Sequence, residues 1–186
     1  MKNLFNNQYV DSIKTNRSGA ALLELGLLLP LLLCLMGGMA EFGRAFHQYH
    51  IANKGVKSAA RYLARVPVGV DCATSSAAWT SKSEVVLAKS LAVSGSFAVN
   101  APSVISNWTP ADVSIPAPDA TTCFNNSGGT YNGRAQIPIV TVSTTFIYDD
   151  LGMLSLMSVL PLGKKASFAL TNIQITATHQ EVHIGG

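Results

Sequence analysis

Few side chains in this chain can do chemistry, and the most informative is Glu24. It is the only charged residue from Ala20 to Ala40. A carboxylate in so apolar a run is costly to desolvate and calls for a cationic partner. Three cysteines follow, of which Cys34 lies inside the apolar run and reads as a small packing residue. Cys72 and Cys123 lie well beyond it and in an oxidising compartment would either pair as a disulfide or stay two thiols. His47 and His50 are helix-spaced, and His179 and His183 stand on one side of a strand, but neither pair has the Cys or carboxylate company of a zinc site. Asp149-Asp150 is a doublet that reads as a turn. The chain has no Gly-x-Ser-x-Gly, no phosphate loop and no Cys-x-x-Cys. No catalytic constellation, metal site or cofactor is therefore assigned.

The element that must position Glu24 is the run itself. Ten leucines fall between Leu22 and Leu35, leaving no polar face. Ala20 to Ala40 supplies 21 residues, against the roughly 20 that a bilayer-spanning helix needs. At roughly −0.3 to −0.6 kcal/mol each, ten leucines outweigh one carboxylate costing about +3 at mid-helix. A buried helix of a soluble protein and a cleaved secretory signal are the alternatives. The first lacks a polar face, and the second lacks a small-x-small exit before Glu41. Pro30 cannot donate to the Gly26 carbonyl, so a kink is expected there.

Charge says little about orientation, since Lys2, Lys14 and Arg17 flank one side and Arg44, Lys54, Lys57 and Arg61 the other. The two distal cysteines and the length of the polar C-terminal portion favour placing that portion outside. The net charge of +3 sits mostly before Ala20, and the nearly neutral remainder offers no dense basic face for nucleic acid.

Residues 1–19 read as a disordered leader, 20–41 as a transmembrane helix, 42–66 as its amphipathic continuation and 67–186 as an extracytoplasmic head. The expected apolar stripe comprises Phe42, Ala45, Phe46, Tyr49, Ala52, Val56, Ala59, Ala60 and Leu63. Pro67 and Gly69 mark the end of the helix. Ser81 to Val93 reads as a short helix with Ser81 as cap and Glu84 at its third position. Residues 136–147 alternate as a strand that Pro138 pushes toward an edge or a start. Residues 166–184 alternate again, through Phe168, Leu170, Ile173, Ile175 and Ala177. Between the strands, Leu151 to Leu160 is too short to span and reads as a buried turn of helix or an exposed contact patch. The fold class is α+β: a long N-terminal helix packed on a small antiparallel sheet, with long loops.

With Gly19, Ala20, Glu24, the leucine run and the tetrad Glu41-Phe42-Gly43-Arg44 in view, the start of the chain resembles a prepilin of the type IV filament class. It resembles more closely the TadE-like pseudopilins of tight-adherence (Flp-type) pili. An Ala/Asn/Arg-rich helix, Asn53 to Ala64, follows the tetrad as in that family. Two positions depart from its pattern: Glu24-Leu25 stands where Glu-Phe is common, and His179-Gln180-Glu181 where the closing strand often carries Met-Arg-x-Glu. The resemblance implies cleavage between Gly19 and Ala20 by a prepilin peptidase on the cytoplasmic face. Gly19 suits this because it offers no side chain to an approaching active site. Glu24 would then pair with the freed amine of a neighbouring subunit. The implied partners are other pilins and pseudopilins, the peptidase and the inner-membrane assembly platform. The implied location is the bacterial inner membrane, single-pass, with the N-terminus cytoplasmic and the head periplasmic or extracellular. The rival reading is an uncleaved single-pass envelope protein whose head binds a ligand or wall polymer.

Overall fold

A computed structural model describes residues 17–69, 72, 76–119, 121–126, 135–152 and 173–184. The expected leader up to residue 16, most of the 151–160 segment and the 166–172 start of the last strand lie outside the described residues. The chain divides into two compact units, one of residues 1–42 with 152–169, the other of 43–151 with 170–186. The class is α+β, with a long N-terminal helix and small antiparallel sheets.

In the first unit the described structure is the beginning of helix α1 (Arg17–Arg65). The helix begins three residues before the expected boundary, so the Gly19–Ala20 peptide is already helical. Neither residue compels a break, and residues 17–19, expected in the leader, simply extend the helix. The chain stays helical through Pro30. This segment is long and apolar enough to cross a membrane, and among the described residues none of its most apolar stretch is buried.

The second unit is built on the remainder of α1. Its buried face is Ala52, Val56, Ala59, Ala60 and Leu63, all fully covered. The expected stripe fails at its start: Phe42, Phe46 and Tyr49 are exposed, while Glu41 and Gln48 are buried. Hydrophobicity chose the wrong face there because Gln48 has a fixed backbone partner, whereas the aromatic side chains lie on the exposed side of the helix.

Helix α2 (Ser76–Thr80) and helix α3 (Ser83–Ser94) follow. Helix α3 starts later than expected. Lys82 occupies the cap with no side-chain cap bond, and Ser81 Oγ instead donates to the Ala78 carbonyl at 3.2 Å. Gly95, at φ 70°, closes α3 in the left-handed conformation that glycine adopts without strain. Helix α3 lies against α1 at Gly55, where an added Cβ would come within 2.2 Å of the Ala92 carbonyl oxygen.

Strands β1 (Val113–Ser114), β4 (Ile139–Ile147) and β5 (Gln174–Val182) form one antiparallel sheet in the order β1-β4-β5. The β4–β5 register runs from Ile139 opposite Val182 to Ile147 opposite Gln174. Pro138 splits the expected 136–147 strand, because it has no N–H to give a ladder. Its first part, β3 (Gln136–Ile137), pairs with β2 (Phe124–Asn125) in a second sheet. Inward residues of β4, among them Val140, Val142 and Phe146, meet the helix face and two tryptophans. Trp79 Nε1 donates to the Ile115 carbonyl at 3.0 Å, and Trp108 Nε1 to Thr144 Oγ1 at 2.8 Å. Each buried indole N–H is thereby satisfied.

The end of α1 is tied to the tail of β5. Ile184 N donates to the Ala64 carbonyl at 2.9 Å, and His183 Nε2 donates to the Val66 carbonyl at 3.1 Å. Lys82 Nζ caps the Val68 and Gly69 carbonyls. The Ala64 carbonyl is one that the end of the helix leaves without an intrahelical partner, and the other three belong to the chain just beyond it.

Candidate functional site

Gly19, Ala20 and Glu24 lie within the first turns of α1. Ala20 and Glu24 are one turn apart and so share a face. Both are exposed, as are all ten leucines from Leu22 to Leu35. Among the described residues an added Cβ at Gly19, Gly26 or Gly38 would meet nothing within 4 Å, so contacts among them do not require glycine there. An apolar surface this large demands lipid or other helices as cover. A carboxylate near the N-terminal end of a helix also benefits from the positive end of the macrodipole.

The tetrad at the other end of the apolar run splits between two faces. Glu41 is 2 % exposed and Phe42 is 73 % exposed. Gly43 has open space around it. Arg44 turns toward the sheet, its Nε donating to the Asp149 carbonyl at 2.8 Å and its Nη2 to Asp149 Oδ2 at 2.9 Å. Gln48 Nε2 donates to the same carbonyl at 3.1 Å. Sequence reasoning took Asp149 for part of a turn and assigned Gln48 no partner. Its position one helical turn after Arg44 was the only signal. These groups line a cleft of about 180 Å³ with His47, Ile51 and the Val104–Ser106 segment.

Cys72 and Cys123 are joined by a disulfide. A hydrogen-bonded turn precedes Cys123. Asp119 Oδ1 accepts from Thr121 Oγ1 at 2.6 Å and from the Thr121 and Thr122 N–H groups at 2.9 Å, and Cys123 N donates to the Asp119 carbonyl. These bonds, the Thr121 hydroxyl first, hold the Asp119 carboxyl below the usual aspartate range.

His47 and His50 remain on the exposed face of α1, where His50 stacks edge-on against Phe46 with ring centroids 4.3 Å apart. His179 Nε2 lies 3.0 Å from Glu181 Oε1, and Arg61 Nε lies 3.5 Å from the same oxygen. The His179 hydrogen bond, then Arg61, pulls the Glu181 carboxyl below its ordinary value. Among the described residues no three His, Cys, Asp or Glu side chains gather as a metal site would require.

Comparison with known proteins adds one finding. No curated protein and no solved structure matches the chain. The match is to a protein family, and it covers the helix that carries Glu24 and the tetrad. Over residues 19–61 the chain fits the family model described as TadE-like protein, so that segment is similar to that family.

Proposed function

We propose that this chain is a membrane-anchored pseudopilin that serves in the assembly of a Flp/Tad-type adhesive pilus, by priming it or by sitting at its base or tip. A prepilin peptidase cuts between Gly19 and Ala20. The segment 20–41 stays in the inner membrane with the head outside, and Glu24 pairs with the Ala20 amine of a neighbouring pilin or pseudopilin. The observation that carries this reading is Glu24 itself. It is an exposed carboxylate, the only charge in an uncovered apolar helix, and it lies inside the TadE-like segment. A free Ala20 ammonium on an adjacent helix supplies the partner that such a carboxylate needs in hydrocarbon.

Cleavage within a helix requires local unwinding. The site suits this, because the first four N–H groups of a helix have no intrahelical partner and fray readily. Glycine at position 19 lowers the cost of leaving the helix further. The protein then acts by packing and charge pairing, with no chemistry of its own.

The test is the N-terminal residue of the mature protein in wild-type and Glu24→Gln cells, together with pilus counts. The expected result is Ala20 at the mature terminus in both and few or no pili in the variant. An intact Met1 in cells with an active peptidase would favour the uncleaved envelope protein instead. Normal piliation of the Glu24→Gln strain would remove the pairing role.

A further inference from the structure

We propose that one row of exposed side chains on α1 is the docking site for an acidic helix of a different protein. The row is Phe46, His50, Lys54, Lys57, Arg61 and Arg65. These residues follow one another at steps of three or four and so lie on one side of the helix. The inference rests on the exposure and charge of this side and on no part of the pilus reading.

All six residues are exposed. On the opposite side of the same helix, Ala52, Val56, Ala59 and Leu63 are fully covered by the core. The fold therefore uses one side of α1 and leaves the other to solvent. The chain's nearly neutral total conceals how uneven the charge is here. From Gly43 to Arg65 the helix carries no Asp or Glu. Among the described residues one carboxylate reaches the row: Arg61 Nε lies 3.5 Å from Glu181 Oε1, which His179 Nε2 approaches at 3.0 Å. Lys54, Lys57 and Arg65 make no ion pair among the described residues. Four cations thus line about 16 Å of helix. Like charges three and four residues apart weaken a helix, so the row is a cost to the isolated chain that a partner's carboxylates would relieve.

The pattern says what the partner looks like. A second copy cannot supply it along this segment, because residues 43–65 bring no carboxylate whichever way two such helices run. In parallel they would set cation against cation, which is costly across an interface. A phosphate polymer would be served by the cations alone. The row instead begins with Phe46 packed edge-on against His50, ring centroids 4.3 Å apart, and Phe46 is 55 % exposed. An aromatic anchor followed by a straight line of charges at helical spacing matches another helix, with an apolar residue at one end and Asp or Glu every three or four residues beyond it.

The test is made in the cells that produce the full-length protein. A photo-crosslinking amino acid replaces Ser58, which is exposed beside the row, or Thr178 on β5 as the background position. The expected result is an adduct from position 58 with another protein, whose cross-linked peptide carries Asp or Glu at helical spacing. Lys54→Glu with Lys57→Glu should lower its yield about tenfold or more, because each reversal turns an attraction into a repulsion. Changing the partner's facing acids to Lys should restore it. Lys54→Gln with Lys57→Gln, which keeps the helix and removes only the charge, should give an intermediate loss. An adduct with a second copy of this chain, with lipid or glycan, or with a peptide lacking acids at that spacing would overturn the proposal. So would a yield at 58 no higher than at 178, an adduct that survives the double reversal, or a failure of the partner's reversal to restore it. Pilus counts are not the readout, so failure here leaves the role of Glu24 to its own experiment.

Discussion

Arg44 grips Asp149 at two points, through the backbone carbonyl at 2.8 Å and the carboxylate at 2.9 Å, across 105 residues of sequence. The contact joins α1 to the end of β4 and explains why a basic residue of the tetrad is held against the fold. Gln48 doubles it. Arg44→Ala should destabilise the protein by about 1–2 kcal/mol, since the pair is charge-assisted but about a third exposed. Asp149→Asn should cost less, because the carbonyl acceptor survives. Denaturant unfolding of the detergent-solubilised chain measures both, and equal losses would show that the backbone bond contributes nothing.

Two glycines on the same helix should behave oppositely. A Cβ at Gly55 would meet the Ala92 carbonyl oxygen at 2.2 Å and the Trp108 ring at 2.8 Å. Gly55→Ala must push α3 away and should destabilise by about 1–3 kcal/mol. Gly43→Ala meets nothing within 4 Å and should leave the fold intact or raise its stability by up to about 1 kcal/mol through helix propensity. Thermal unfolding of the two variants decides this. A Gly43→Ala chain as damaged as Gly55→Ala would contradict the open space seen at that position.

Glu181 should make stability pH-dependent. Its carboxyl is held below the ordinary 4.5 by the His179 hydrogen bond and then by Arg61. A depressed folded-state value adds stability above the unfolded value, and that stability is lost as pH falls through the folded one. The apparent Tm difference between wild type and Glu181→Gln should therefore favour wild type near neutrality and shrink steadily below pH 4.5. A difference that stays constant into strong acid would mean that the carboxylate's charge is irrelevant.

The disulfide closes a loop with a sequence separation of 51. Chain-entropy reasoning credits such closure with about 4 kcal/mol as an upper figure. Reduction, or Cys72→Ser with Cys123→Ser, should lower the unfolding free energy extrapolated from urea by an amount approaching that value, and the midpoint with it. An unchanged midpoint would show that the α1–β4 core holds the loop without the bond.

What the sequence determined by itself was whatever depends on local pattern. Ten leucines with one carboxylate define an apolar helix whatever lies around it, and Pro67 and Gly69 stop that helix. Period-two alternation in 136–147 and 166–184 pointed to the two long strands, which run over Ile139–Ile147 and Gln174–Val182. Tertiary structure decided which face of the helix is buried. Gln48 displaced Phe46 and Tyr49 from the covered side because a hydrogen bond to the Asp149 carbonyl is a property of a distant strand end, invisible to hydropathy. It also decided that Gly55 must be glycine, since that need arises only where α3 crosses α1. It split the 136–147 strand at Pro138 and sent the first half to another partner. Periodicity reports how a residue sits on its own element, whereas burial and partnership depend on which surface arrives opposite, and that is set by contacts far apart in the chain.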